Sequence, residues 1–321
     1  MSMPAASLPK TSYGPSDFAV SVVSCPTDEH SPLSSAAEQT GLVHTKGKSM
    51  TSCPMTTASL RLAATERAPE AAMPRAGPAV VFLHGLGCER GQFVRQLEGL
   101  DPGLQLLSLD LPGHGESPEL CAPRYTIASM TRAVGSELRA RGYRSVVLVG
   151  HSAGGLIALQ TAVDLPALVH GVVVLDTNIA IGEADRQANR IRARESETND
   201  WRSYFMASMA SAWGEGTAAT AQERAFVFDA LERAPEHVVR PLWHDILMFK
   251  PELLWRRCRV PSLYLRSKRD TNLTLLQSLN PLISTADLRP YCDGHWPHLQ
   301  CPGVVNTFLH NFLAQLTVDN C

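Results

Sequence analysis

The sequence predicts an α/β protein in which a mostly parallel central sheet is flanked by helices on both faces. Three observations carry that expectation. Largely apolar runs of strand length recur at Ala79–Leu83, Leu104–Leu109, Val146–Val149, Gly171–Leu175 and Pro261–Leu265. Runs without polar alternation suit strands buried on both faces, the habit of parallel sheets. Helix-period stretches separate them, around Ser129–Arg141 and at Gly303–Leu316, the latter with Val304, Val305, Phe308, Phe312 and Leu316 on one stripe. Finally, Gly150-His151-Ser152-Ala153-Gly154 stands between an apolar run and the helix-like Gly155–Ala162.

That pentapeptide is G-x-S-x-G after a strand, the layout of a nucleophile elbow. A serine held out on so tight a turn has a strained backbone and needs small neighbours. Gly150 and Gly154 give that room, and Gly155 lets the following helix pack close. The helix then aims its N-terminus at the place where negative charge would develop.

The remaining segments follow in order. Residues 1–55 are rich in Ser, Thr and Pro and read as a disordered extension. No targeting role is expected for them, because no Arg precedes Arg61 while Asp17, Asp28, Glu29 and Glu38 do. An edge strand is expected over Ser59–Ala64, and a turn over Ala68–Pro78. Between Asp176 and Val260 no buried strand occurs. Trp201, Phe205, Met209 and Trp213 recur every fourth residue, Thr220-Ala221-Gln222-Glu223 spells a capping box, and His237–Phe249 makes a further helix. The expected division is therefore a core of residues 56–177 and 259–321, with a helical lid insertion at 178–258.

Composition narrows the function classes. With 321 residues, 44% hydrophobic and 19% charged, the chain has the make-up of a globular protein with a sizeable core. A net charge of −2 gives no reason to expect nucleic acid or anionic lipid as partner, and no apolar stretch approaches a membrane span. The 8 cysteines show no C-x-x-C or zinc spacing and read as mostly free thiols of a reducing, cytoplasmic compartment, ahead of a structural disulfide. Cys88 reads as a small buried filler.

A serine hydroxyl needs a base, and the base a group that orients it. His295, in Gly294-His295-Trp296-Pro297-His298, is the candidate base; His298 is its competitor, placed as a surface residue of a helix. The expected last strand lies at Asp287-Leu288-Arg289.

Four segments, in this order and spacing, resemble the α/β-hydrolase superfamily in its branch of lidded esterases, cofactor-free haloperoxidases and carbon–carbon bond hydrolases. They are Phe82-Leu83-His84-Gly85-Leu86-Gly87, Leu107 to Ser117 (containing Asp110-Leu111-Pro112-Gly113-His114-Gly115-Glu116-Ser117), the Ser152 turn, and Gly294-His295 with its following helix. The resemblance covers about residues 79–316 and implies an α/β-hydrolase fold with a helical lid. It implies Asp270 as the acid, at the turn after the strand Ser262–Leu265, although Ser267 stands where a Gly is usual. Asp176, at the end of the preceding strand, is the alternative acid. The backbone N–H groups of Leu86 and Ala153 are the expected oxyanion donors. Asp110 is expected to bond its own turn, and His114 to be a packing residue.

Trp201, Tyr204, Phe205, Trp213 and Trp243 read mainly as lid core, while Trp296 serves equally as pocket wall or as wedge. Arg256, Arg257, Arg259, Lys268 and Arg269 read as a solvated face, with a site for a substrate carboxylate as the lesser alternative. The expected function is a serine hydrolase acting on a small or medium hydrophobic carboxylic ester or lactone, with no metal, flavin or nucleotide cofactor implied. Two alternatives stay open: a carbon–carbon hydrolase or perhydrolase using the same residues, and a non-catalytic ligand receptor.

Overall fold

The computed structural model describes residues 60–70, 77–121, 124–198, 200–214 and 219–318. The expected N-terminal extension, residues 1–55, lies outside them, as does most of the expected turn before Gly77. Among the described residues seven strands form one sheet, in the order β1-β3-β2-β4-β5-β6-β7. They are β1 (Ala64–Arg67), β2 (Ala79–Leu83), β3 (Leu106–Leu109), β4 (Val146–His151), β5 (Val169–Leu175), β6 (Ser262–Arg266) and β7 (Ile283–Asp287). All neighbouring pairs are parallel except β1 with β3, which is antiparallel at the edge.

Every residue of β2, β3 and β4 is buried, as largely apolar runs require when helices cover both faces. Alternating side chains feed two cores. Val81, Leu83, Leu148 and Val174 join one, and Val80, Phe82, Val149 and Leu175 the other. Each fully buried Val, Leu or Phe contributes about 1.5–3 kcal/mol. The first core includes α2 (Ile127–Ala140) and α3 (Ala153–Asp164); the second includes α11 (Pro302–Val318) and Leu97 of the short α1 (Val94–Gly99).

Two strands sit elsewhere than expected. The alternation at Ser59–Ala64 does not make the edge strand. Leu62 is buried, but its N–H donates to the Glu137 carboxylate (3.1 Å), and ladder pairing begins only at Ala64. The last strand is Ile283–Asp287, and Leu288 begins the turn that follows it.

Between β5 and β6 the described chain is helical: α4 (Glu183–Glu195), α5 (Trp201–Trp213), α6 (Ala221–Arg233), α7 (Glu236–Met248) and α8 (Pro251–Arg257). Trp201, Phe205, Met209 and Trp213 are the buried face of α5, and Thr220 and Glu223 cap α6 reciprocally. α4 escaped sequence reading because it buries only Asn189 and Ala193 among charged neighbours. After β6 come α9 (Leu273–Gln277) and, beyond β7, α10 (Pro297–Gln300). No described helix is long and apolar enough to cross a membrane.

Candidate active site

Ser152 joins β4 to α3 with φ 53° and ψ −117°, outside the regions a side chain favours. Such a conformation costs about 1–3 kcal/mol and persists only where its surroundings enforce it. Here the Ser152 N–H donates to Leu175 O (3.0 Å), while its carbonyl accepts from Gly155 N (3.0 Å) and Thr177 Oγ1 (2.9 Å). The glycines are steric necessities. A Cβ on Gly150 would lie 2.2 Å from the Gly154 carbonyl oxygen, and one on Gly154 would lie 2.1 Å from that of Leu83. Small residues thus let strand, turn and helix collapse around the serine.

His295 approaches from the loop between β7 and α10. Its Nε2 is 3.0 Å from Ser152 Oγ, and its Nδ1 is 2.7 Å from Asp176 Oδ2. With Nδ1–H donating to the carboxylate, Nε2 is left to accept from the hydroxyl. The loop carrying this imidazole is tied on several sides. His295 N donates to Ala212 O (2.9 Å), Gln300 Nε2 to Trp213 O (2.6 Å), Ser267 Oγ to Gly294 O (2.8 Å), and the His151 ring to His295 O (2.6 Å). Two of these ties come from the end of α5, so the inter-strand helices bear directly on the imidazole. A Cβ on Gly294 would meet Trp213 O at 1.9 Å, hence glycine before this histidine.

The carboxylate beside His295 is Asp176, the alternative, and not Asp270, the preferred one. Asp270 does not reach His295: its side chain is 96% exposed and faces Arg289 at 3.7 Å. Asp176 instead is fully buried at the end of β5, with φ 44°, a turn conformation Asp tolerates better than most residues. Its Oδ1 accepts the N–H groups of Ser267 (2.8 Å) and Arg269 (2.9 Å) while Oδ2 faces the imidazole. Three donors hold this carboxylate in one orientation. Ser267, at the position where a glycine was anticipated, links Asp176 to the His295 loop through its N–H and hydroxyl together.

Burial lowers the His295 pKa, the positive charge of Arg269 lowers it further, and the bond to Asp176 opposes both. The imidazole is therefore neutral near pH 7. Arg269 is not the solvated residue expected from sequence: its Nε is buried without a hydrogen-bond partner. His298 was expected at the surface and is fully buried, packed on the rings of Phe93 (4.7 Å) and His151 (4.6 Å), with its pKa lowered to about 3 by desolvation. Sequence reasoning missed it because α10 is a single turn tucked inward, too short to show a pattern.

The loop after β2 runs against the serine: a Cβ on Gly85 would lie 3.2 Å from Ser152 Cβ. His84 fixes this loop, with Nδ1 donating to Gly85 O (2.8 Å) and Nε2 accepting from Leu111 N (2.9 Å). Leu86 and Ala153 are both buried at this junction. Apolar side chains of α5 and α6 cover the loop, since a Cβ on Gly87 would meet Leu231 at 2.9 Å and Phe205 at 3.3 Å. Asp110 bonds its own turn by accepting from Glu116 N (2.9 Å), it also accepts from Arg90 N (2.6 Å) of the segment after β2, and His114 is buried. Trp296 is buried among His151, Trp213 and Phe228, which makes it a wedge behind the His295 loop. Among the described residues, no three His, Cys, Asp or Glu side chains are grouped to hold a metal ion.

Known proteins place this chain. A protein named "Putative carbamate hydrolase RutD" from Escherichia coli O103:H2 is 32% identical over 117 residues, 36% of this chain and 44% of that relative. The match therefore spans less than half the length of that relative. Among solved structures, a thermophilic esterase from Thermogutta terrifontis superposes with a TM-score of 0.66 at 19% identity, covering 82% of this chain and 96% of that one. The enol-lactonase from Burkholderia xenovorans LB400 gives 0.62 at 18% identity, covering 80% and 99%. These likenesses are of fold. The family model described as "Alpha/beta hydrolase family" matches residues 80–308, and with more than half the chain inside it, the protein belongs to the alpha/beta hydrolase family.

Proposed function

We propose that the protein is a serine hydrolase that cleaves a small or medium hydrophobic carboxylic ester or lactone through an acyl-enzyme on Ser152. The observation that carries this reading is the hydrogen-bonded chain from Ser152 Oγ through His295 to Asp176, at 3.0 and 2.7 Å. Those are the distances at which proton transfer and orientation work.

In the forward step Ser152 Oγ attacks the carbonyl carbon as its proton passes to His295 Nε2. Asp176 stabilises the imidazolium and keeps Nδ1–H in place. The N–H groups of Leu86 and Ala153, with the N-terminus of α3 behind them, bind the developing oxyanion. The imidazolium then protonates the departing alkoxide. Water, deprotonated by the same Nε2, releases the acid and restores Ser152. A neutral resting imidazole is what this base role needs, and the lowered His295 pKa supplies it.

Two features favour a hydrophobic ester or lactone. The helices between β5 and β6, acting as the lid, lay Phe205 and Leu231 over the loop that carries Leu86. Two neighbours of the same fold are named as an esterase and an enol-lactonase, in keeping with an ester or lactone. The test is a hydrolysis profile over p-nitrophenyl esters of graded chain length, a simple lactone and a vinylogous diketone, each repeated with Ser152→Ala. Ester or lactone turnover that vanishes in Ser152→Ala is expected. Turnover of the diketone alone would replace this reading with carbon–carbon cleavage, and a folded protein inert to all of them would leave a ligand receptor.

A further inference from the structure

Cys292 and Cys301 flank the His295 loop, and both are buried. Their sulfur atoms are 2.8 Å apart. Carbon atoms in optimal contact sit about 3.5–4.0 Å apart, and sulfur is the larger atom, so this is closer than packing alone gives. A disulfide needs about 2.05 Å, so the gap to be closed is under ~1 Å. The backbones on either side are already fixed: Cys292 N donates to Leu288 O (3.0 Å) and Cys301 N to Pro297 O (2.9 Å). The other described cysteines differ. Cys121 is exposed, Cys258 faces Ser262 Oγ and Val260 O, and the Cys88 thiol, pushed up to about 11 by burial, has no second sulfur beside it.

We propose that Cys292 and Cys301 are an oxidisable pair whose disulfide closes the loop carrying His295, a covalent modification site beside the reactive centre. The oxidant is hydrogen peroxide, small enough to approach sulfurs that keep 6% and 8% of their residues' surface exposed. The Cys301 thiolate attacks one peroxide oxygen and the O–O bond breaks, giving a sulfenic acid and, with one proton, water. The Cys292 sulfur, giving up its proton, then displaces the sulfenic hydroxyl, which takes up that one proton and leaves as a second water. In total two thiols and one hydrogen peroxide give one disulfide and two waters, the sulfurs losing two electrons and the peroxide gaining them. The roles follow from the pair itself: the hydrogen bond from Cys292 lowers the Cys301 pKa, while Cys292 is the raised partner that holds its proton.

The loop is already held in the thiol form by Ala212, Trp213, Ser267 and His151. The bridge therefore acts on unfolding and leaves the placement of His295 unchanged. Closing so short a loop is expected to raise Tm by about 5–10 °C while kcat at 25 °C changes less than about twofold.

The test treats the full chain with hydrogen peroxide, alkylates remaining thiols, and digests with an endoprotease that cuts before Asp293. That cut separates the two cysteines unless they are joined. The expected result is a linked pair of peptides lighter by two hydrogens, parted by reductant, together with the Tm rise. Cys292→Ser and Cys301→Ser should abolish both, while Cys121→Ser should keep both. Full alkylation of both thiols after peroxide, over-oxidation of either without a link, or linkage of either to another cysteine would each overturn the proposal. The wild-type mapping decides the matter even where a variant fails to fold.

Discussion

Replacing Asp176 by Asn turns one carboxylate oxygen into an NH2 group and leaves the shape of the side chain nearly unchanged. The native carboxylate accepts three hydrogen bonds, from His295 Nδ1, Ser267 N and Arg269 N. An Asn keeps one oxygen, which the two backbone N–H groups demand, and so presents its NH2 to His295. A donor facing Nδ1 drives the ring proton to Nε2, where it points at the Ser152 hydroxyl and can no longer accept from it. This tautomer reversal is worth about 10⁴-fold in kcat, or about 5.4 kcal/mol of barrier. Asp270→Asn, by contrast, alters an exposed side chain opposite Arg289 and should change kcat less than about twofold. The assay is kcat on the best ester substrate, with circular dichroism showing that both variants fold. A larger loss at Asp270 than at Asp176, or Asp176→Asn retaining more than about a tenth of activity, would refute the reasoning.

Three further outcomes follow from the same geometry. Because the Arg269 charge lowers the His295 pKa, Arg269→Met should move the acidic limb of the kcat profile to higher pH without moving the KM limb equally; an unmoved limb would remove Arg269 from the site's electrostatics. Gly154→Ala places a Cβ 2.1 Å from a backbone oxygen that cannot turn aside and should cost about 3 kcal/mol or more in urea unfolding, whereas Gly303→Ala, with nothing within 4 Å in α11, should be neutral or gain about 0.5–1 kcal/mol. Buried His84 (pKa about 4), His114 (about 3) and His298 (about 3) bind protons more weakly folded than unfolded. Stability is therefore fully present above about pH 6.5 and falls as pH drops below it, each histidine contributing about 1.4 kcal/mol per pH unit; a urea midpoint flat from pH 6.5 to 4.5 would contradict their burial as neutral rings.

The elements legible in the sequence were those whose reasons are local. The five apolar runs became buried strands because parallel strands need no polar face, and the glycines around Ser152 announced a turn that nothing larger would fit. The spacing of Trp201, Phe205, Met209 and Trp213 marked α5 for the same reason. Which carboxylate meets His295 was not legible. Asp176 and Asp270 both follow strands that lie side by side, with Leu175 paired to Leu265, and each has a plausible place in its turn. What separates them is tertiary: the backbone N–H groups of the turn after β6 point at Asp176, which makes that turn the clamp of the carboxylate instead of its source. The contact of Cys292 with Cys301 was hidden likewise, because their nearness depends on α10 folding back beneath the loop.

The central claim is that Ser152 Oγ is a nucleophile activated by His295. Its most direct test is intact-mass analysis after exposure to a fluorophosphonate, with the modified peptide mapped. The account predicts one stoichiometric adduct on Ser152, formed at a rate that collapses in His295→Ala and in Asp176→Asn and absent from Ser152→Ala. A folded protein that stays unmodified, or that carries the adduct on another residue, would contradict it.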